Sequence, residues 1–201
     1  MSKEVIVAFI TGILGPVVVL LLKYKFSKLK KSDMVIDTLK VSETVMTKLE
    51  QIKEEFESDR VWVSQFHNGG NFYPTGKSMA KFSILYEVVQ PGTSSLQTNF
   101  QNIPVNLFSR PINRLYEYDL IEIPDYKDVT IATYGLKYIA EDVGCKSTYL
   151  FAIKSIDNKF IGMLGIDFVK KKTKLNQDQI THLQVHSATL GGVMMEGLKK
   201  N

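Results

Sequence analysis

Residues 5–22 read "VIVAFITGILGPVVVLLL", 18 residues without a charged side chain. A run of that length is near the minimum that crosses a hydrocarbon core as a helix. Gly12, Gly15 and Pro16 would weaken a helix in water, but lipid tolerates them, and the two glycines let a neighbouring helix approach closely. Five lysines follow between Lys23 and Lys31, and Lys23-Tyr24-Lys25 stands where a signal peptide would carry a small-residue cleavage site. The run is therefore expected to be an uncleaved transmembrane helix (5–22) followed by a basic juxtamembrane segment (23–31). Flanking lysines are retained on the cytoplasmic side, so the expected location is the cell inner membrane, single-pass, with the domain facing the cytoplasm. Those lysines would rest against anionic headgroups.

The position of the charge also decides the partner class. The whole chain carries +4, but residues 1–31 hold six lysines against Glu4, a net of +5, leaving 19 basic and 20 acidic residues in 32–201. A nucleic-acid reader carries its positive footprint on the folded domain, so neither DNA nor RNA is expected as a partner. With 201 residues, 44% of them apolar, the chain can bury one ordinary core beside the anchor. The single cysteine, Cys145, excludes an internal disulfide and a cysteine-pair metal site, and fits a reducing compartment.

Residues 32–58 form an expected amphipathic connecting helix. Val35, Leu39, Ser42, Met46, Leu49, Lys53 and Phe56 step by fours and threes, a heptad seam with two polar breaks. Val41, Val45 and Ile52 widen the apolar face, so the helix is expected to pack on its own domain and on a partner helix of a homodimer, the alternative being a helix that merely caps its own domain. The period then becomes two. "RVWVSQF" reads as a strand with turn chemistry in "HNGG", and "KFSILYEVV" as a second strand. The polar stretch 93–102 reads as a loop, "PVNLFSRPINRLYEYD" as a short or broken helix, "LIEIPD" as a short strand, and 128–142 as a helix. "STYLFAIKSIDNKFIGMLGIDFV" is a hairpin turning at Asp157–Lys159. In the closing helix Asn176 and Gln179 form a capping box, and Ile180, Leu183, Ser187, Leu190 and Met194 line one face. Hairpin-linked strands with helices at the ends define an α+β domain with an antiparallel sheet over 59–201.

With these elements in place, the chain resembles a GAF domain, the sensory fold related to PAS. The likeness rests on "GCKSTYLFAIKSIDNKFIGMLGIDFV", on "IEIPDYKD" upstream of it and on "ITHLQVHSATLGGVM" in the closing helix, and spans about residues 34–198. It implies a five- or six-stranded antiparallel sheet with helices on one face and dimerisation through the first and last helices. It implies no particular ligand or cofactor, because the fold hosts cyclic nucleotides, tetrapyrroles and other small molecules.

Candidate ligand contacts follow from chemistry. His67 lies in "SQFHNGGNFY" beside Ser64, Asn68 and Asn71 with no nearby acid, which suits a turn bordering a pocket and not a catalyst. Glu87 sits with Tyr86 on an otherwise apolar strand. Its carboxylate, with donors from Lys81, Ser83 and Asn68, has the groups to hold a nucleobase edge or an amine, while strict alternation would instead turn Glu87 to solvent. Phe108, Arg110 and Arg114 lie in the broken segment, where a guanidinium can pair with phosphate or stack on a base. His182 and His186 share one helix face at the spacing of paired zinc ligands, but no glutamate stands between them and no cysteine accompanies them, so they are read as surface or interface histidines. Cys145 reads as a buried small residue.

No nucleophile motif, metal cluster or phosphate loop stands in the sequence, so an enzyme is not expected. The expected function is a membrane-anchored sensory module that takes a small-molecule or nucleotide ligand and acts as a dimer without its own output domain. The alternative is a membrane-tethered scaffold of the same fold that recruits partners and binds no small molecule.

Overall fold

A computed structural model describes residues 3, 10–29, 34–72 and 74–198. The chain divides into two compact units, 1–39 with 199–201, and 40–198. In the first, a π-helical turn, Ile10–Leu14, leads into α1, Gly15–Leu29. Ile13, Leu14 and Val17 to Leu22 are exposed apolar side chains. Among the described residues no helix is long and apolar enough to cross a membrane, and residues 5–9 of the expected span lie outside the described residues.

The second unit is a six-stranded antiparallel sheet in the order β3-β2-β1-β6-β5-β4. Its strands are β1 (Arg60–Asn71), β2 (Ser78–Val89), β3 (Ile103–Pro104), β4 (Leu120–Ile123), β5 (Ser147–Lys154) and β6 (Phe160–Phe168). The helices are α2 (Met34–Glu55), whose residues from Lys40 on belong to this unit, α3 (Ser109–Tyr118), α4 (Lys137–Asp142) and α5 (Gln177–Leu198), with a 3₁₀ turn at Val105–Phe108. The order of elements matches the α+β expectation, and six strands form.

Helices cover both faces of the sheet, where the resemblance implied one. On the first face Val45, Leu49 and Ile52 of α2 and Leu183 and Leu190 of α5 pack on Val61, Val63 and Ile166. On the second, Ile112 and Leu115 of α3 and Ala140 of α4 close over Trp62, Ile121 and Met163. The alternation of β1 explains the division, because Val61 and Val63 point to one side while Arg60 and Trp62 point to the other.

The α2 seam divides along its length: Leu49 and Ile52 are fully buried in their own domain, whereas Leu39 is 62% exposed. All five positions expected to line one face of α5 are buried within the domain. Its capping box forms as expected, with Asn176 N donating to Gln179 Oε1 and Gln179 N to Asn176 Oδ1, both at 2.9 Å. Gly191 lets α5 approach the sheet, since a Cβ there would lie 2.1 Å from Lys154 O.

Two local expectations are corrected. β1 does not end at "HNGG" but runs through it to Asn71, and the pairing with β2 slips between Asn68 and Asn71. Gly70 takes φ +98° at this irregularity, so the glycines serve a bulge within a ladder where a turn was expected. The helix expected over 128–142 is confined to Lys137–Asp142. Asp128 Oδ1 accepts from Thr130 N and Oγ1, and Tyr134 and Gly135 adopt positive φ, conformations that interrupt helical hydrogen bonding.

Candidate functional site

The second face encloses a cavity of about 70 Å³ between the sheet, α3, α4 and the loop after β2. Its walls are mainly apolar, among them Phe82, Phe100, Phe108, Ile112, Leu136 and Leu150. One end is polar, formed by Arg60, Asp167, Thr148, Tyr126 and Cys145.

Strand register assembles that end. Arg60 and Asp167 are cross-strand partners on β1 and β6, and Thr148 of β5 pairs with Asp167 on its other side. Arg60 Nε donates to Asp167 Oδ2 at 2.8 Å, its Nη2 lies 2.8 Å from the same oxygen as an ion pair, and Nη1 donates to Ser94 O at 2.7 Å. Trp62 Nε1 donates to Asp167 Oδ2 at 3.1 Å, and Thr148 Oγ1 to Oδ1 at 2.7 Å. The indole reaches this position because residue 165 is glycine: a Cβ there would lie 2.1 Å from Trp62 Cε2. The Arg60 and Asp167 side chains are 1% and 4% exposed, so this pair sits in the interior with its hydrogen-bonding capacity engaged.

Cys145 Sγ donates to Ser147 O and lies 3.2 Å from Thr148 Oγ1. Burial, and then the charge of Asp167, push its thiol up to about 12. The Tyr126 phenol is raised above its ordinary range, again chiefly by burial. Both groups are protonated at neutral pH, the Cys145 proton being given to Ser147 O and the Tyr126 hydroxyl hydrogen-bonded to Thr148.

The residues selected from sequence scatter around this site. Phe108 lines the cavity. Glu87 borders it: its Oε1 is 4.0 Å from Arg60 Nε and accepts from Leu96 N at 2.7 Å, while Oε2 accepts from Gln97 N at 3.1 Å and from Ser95 Oγ. Its side chain is 3% exposed, held to the loop after β2 and not turned to solvent. A bulge explains the direction, because pairing jumps from Val63↔Tyr86 to Ser64↔Ile84 and leaves Leu85 as the extra residue.

His67 and Ser83 meet through Nε2 and Oγ at 2.9 Å, and Ser83 Oγ also accepts from Asn102 N at 2.8 Å. Alternation puts His67 on the face of Val61 and Val63, away from the cavity. Asn68 is exposed opposite Ala80, and Lys81 pairs with His67 and Pro104 at the sheet margin. Tyr86 packs on the other core, its hydroxyl 3.3 Å from Ser42 Oγ. Arg110 is exposed at a second depression with Leu107 and Tyr134. The Arg114 guanidinium stacks 3.7 Å above the Tyr118 ring, outside the cavity lining.

Sequence reading passed over Arg60, Asp167, Trp62, Thr148 and Tyr126. A usable signal was present: Arg60 and Asp167 are opposite charges in strands whose neighbours are apolar on both faces, a pattern that requires pairing in the interior.

A far-red cyanobacteriochrome photoreceptor is similar over 90% of this chain and 100% of its own, with a TM-score of 0.62 at 18% identity. The phycoerythrobilin-bound GAF domain of a cyanobacterial phytochrome is similar over 82% of this chain and 89% of its own, with a TM-score of 0.63 at 14% identity. The Thermosynechococcus elongatus PixJ GAF domain in its blue-light absorbing form is similar over 81% and 90%, with a TM-score of 0.59 at 14% identity. No protein-family model matches the chain, and no curated protein matches it. The domain has a GAF-like fold.

Proposed function

We propose that the protein is a membrane-tethered sensory module whose GAF-like domain takes a compact small molecule in the cavity between the sheet and α3–α4. One observation carries this reading: a largely apolar cavity ends in a buried, preorganised set of hydrogen-bonding groups, Arg60, Asp167, Thr148, Tyr126 and Cys145. Apolar walls with a few convergent polar groups are the usual form of a small-ligand site. The volume of about 70 Å³ sets the class of ligand. It is several times the roughly 10–15 Å³ that one water needs, and well below the roughly 300–1,000 Å³ of pockets for drug-sized ligands. It is less than half the roughly 150 Å³ of an apolar cavity that takes benzene, so a compact ring with one polar edge enters only with small outward shifts of the apolar walls. A tetrapyrrole such as the phycoerythrobilin of one structural neighbour is far larger, and the Arg60 guanidinium is already engaged by Asp167 and Ser94, which weighs against a nucleotide phosphate.

Anchoring belongs to the same reading, supported by the uncharged run 5–22 and its lysine flank. The domain then faces the cytoplasm, and the signal passes to another protein or to the membrane helix. Dimerisation is supported by the exposed apolar residues Ile36 and Leu39 at the start of α2. No catalytic role is proposed, since Cys145 is a buried, protonated thiol and Asp167 is committed to Arg60.

The test is a thermal-shift and native mass spectrometry screen of the detergent-extracted full chain against compact aromatic and heterocyclic compounds, cyclic nucleotides and bilins. A compact compound should stabilise the protein by about 2.7 kcal/mol at a hundred times its dissociation constant. Ala140→Leu, which fills the cavity from α4, should abolish that gain. A shift given only by bilins or cyclic nucleotides, or one that survives Ala140→Leu, would move the ligand elsewhere, and no shift with any compound would leave the scaffold reading. Full-length protein found free of membranes after fractionation would remove the anchor.

A further inference from the structure

Two of the three histidines in the chain meet beside Phe56 of the first core, on the opposite face of the sheet from the cavity. His182 and His186 lie one turn apart on α5 with their rings stacked, centroids 4.6 Å apart and planes 25° from parallel. Their spacing alone lacked a carboxylate, and α2 supplies it: Glu55, its last residue, places Oε1 2.7 Å from His182 Nδ1 and Oε2 3.3 Å from His186 Nε2.

We propose that Glu55, His182 and His186 form a binding site for a divalent transition-metal ion of the zinc type, which clamps the end of α2 to the closing helix. The three donor atoms all lie within 4.8 Å of one another. A tetrahedral ion with bonds of roughly 2.0–2.2 Å needs its donors a little over 3 Å apart. Small rotations of Glu55 and His182 reach that spacing, and both have room, at 39% and 52% side-chain exposure. His186 is the fixed member, 7% exposed and set edge-on against Phe56. The exposed side leaves the fourth position to water and gives the ion an entry path.

Donor chemistry selects the ion. Two imidazoles and one carboxylate suit Zn²⁺ or its borderline neighbours, whereas Mg²⁺ and Ca²⁺ require oxygen ligands throughout. Burial first, and Lys48 second, lower the affinity of His186 for a proton. The charged and titratable groups facing it are Lys48 and Glu55 from α2 and His182 from its own helix. Glu55 also stands where the negative end of the α2 dipole favours a cation. Lys48 opposes binding, which places the affinity below that of a closed four-ligand structural site.

The test uses the untagged full chain in mild detergent, stripped with a chelator and then titrated with Co²⁺ and Zn²⁺. One Co²⁺ per chain should bind with the intense visible absorption of a four-coordinate ion, and Zn²⁺ should displace it. His182→Ala and Glu55→Gln change exposed side chains, so circular dichroism should be unaltered. Each should weaken binding by more than the roughly 10–100-fold that loss of a supporting contact costs. Absence of stoichiometric uptake by the unaltered protein, or uptake that persists in both variants, overturns the proposal.

Discussion

Arg60 and Asp167 stand 107 residues apart in the chain and face each other across β1 and β6, joined by two 2.8 Å contacts to one carboxylate oxygen. The pair holds the polar end of the cavity in place. Trp62 and Thr148 both donate to the same carboxylate, so one acid orients a cation, an indole and a hydroxyl.

Removing one partner strands the other in the interior. Asp167→Asn should therefore cost on the order of 3–5 kcal/mol, measured by urea unfolding. The joint replacement Arg60→Met with Asp167→Leu should recover much of that loss, because an apolar pair leaves no charge unpaired. If the single change is neutral, the pair is not the organising element of this face.

Cys145 should be chemically silent while the protein is folded. With its thiol at about 12, only about one molecule in 10⁴ carries the thiolate at pH 8, the form that reacts. Iodoacetamide should label the native protein very slowly and the urea-unfolded protein at the rate of an ordinary thiol. Fast native labelling would show an accessible thiolate and would overturn the buried position of this side chain.

Much of the fold is legible locally, and the site much less so. The apolar stripe and capping box of α5 and the hairpin of β5 and β6 depend on neighbours within a few residues, and they appear where the pattern puts them. "HNGG" was misjudged because a bulge and a turn make the same demand on glycine, and only the partner strand decides between them. Glu87 was selected as a pocket group, but the extra residue at Leu85 that turns it inward is a property of pairing with β1. The Arg60–Asp167 contact depends on a register across 107 residues, which no local period encodes. Glu55 likewise meets His182 and His186 only once α2 and α5 lie side by side.

Stability should fall with acidification in a way that depends on His186. Burial, and then Lys48, hold its folded pKa below the ordinary value, which is about 6.5. The unfolded chain then binds the proton more readily, so the contribution is complete above about pH 6.5 and is lost as pH falls from there through the lower folded value. Lys48, Glu55 and His182 are the charged and polar groups that face the ring. Urea midpoints taken with chelator present, between about pH 7.5 and 5.5, should decline more steeply for the unaltered protein than for His186→Gln. Equal slopes would mean that the ring is solvated in solution.

The divided seam of α2 separates folding from association. Leu49 is fully buried in its own domain, so Leu49→Asp places a charge in the core and should unfold the protein. Ile36 and Leu39 are 50% and 62% exposed, so Ile36→Asp with Leu39→Asp should leave the domain folded. A chain beginning at Ser32 should sediment as a concentration-dependent dimer, and this second pair of changes should convert it to a monomer with an unaltered circular dichroism spectrum. The reason is that two carboxylates facing two more across a paired helix lose hydration without gaining a partner. A dimer that persists with both aspartates present would place the association surface elsewhere, and a monomer before any change would restrict α2 to its own domain.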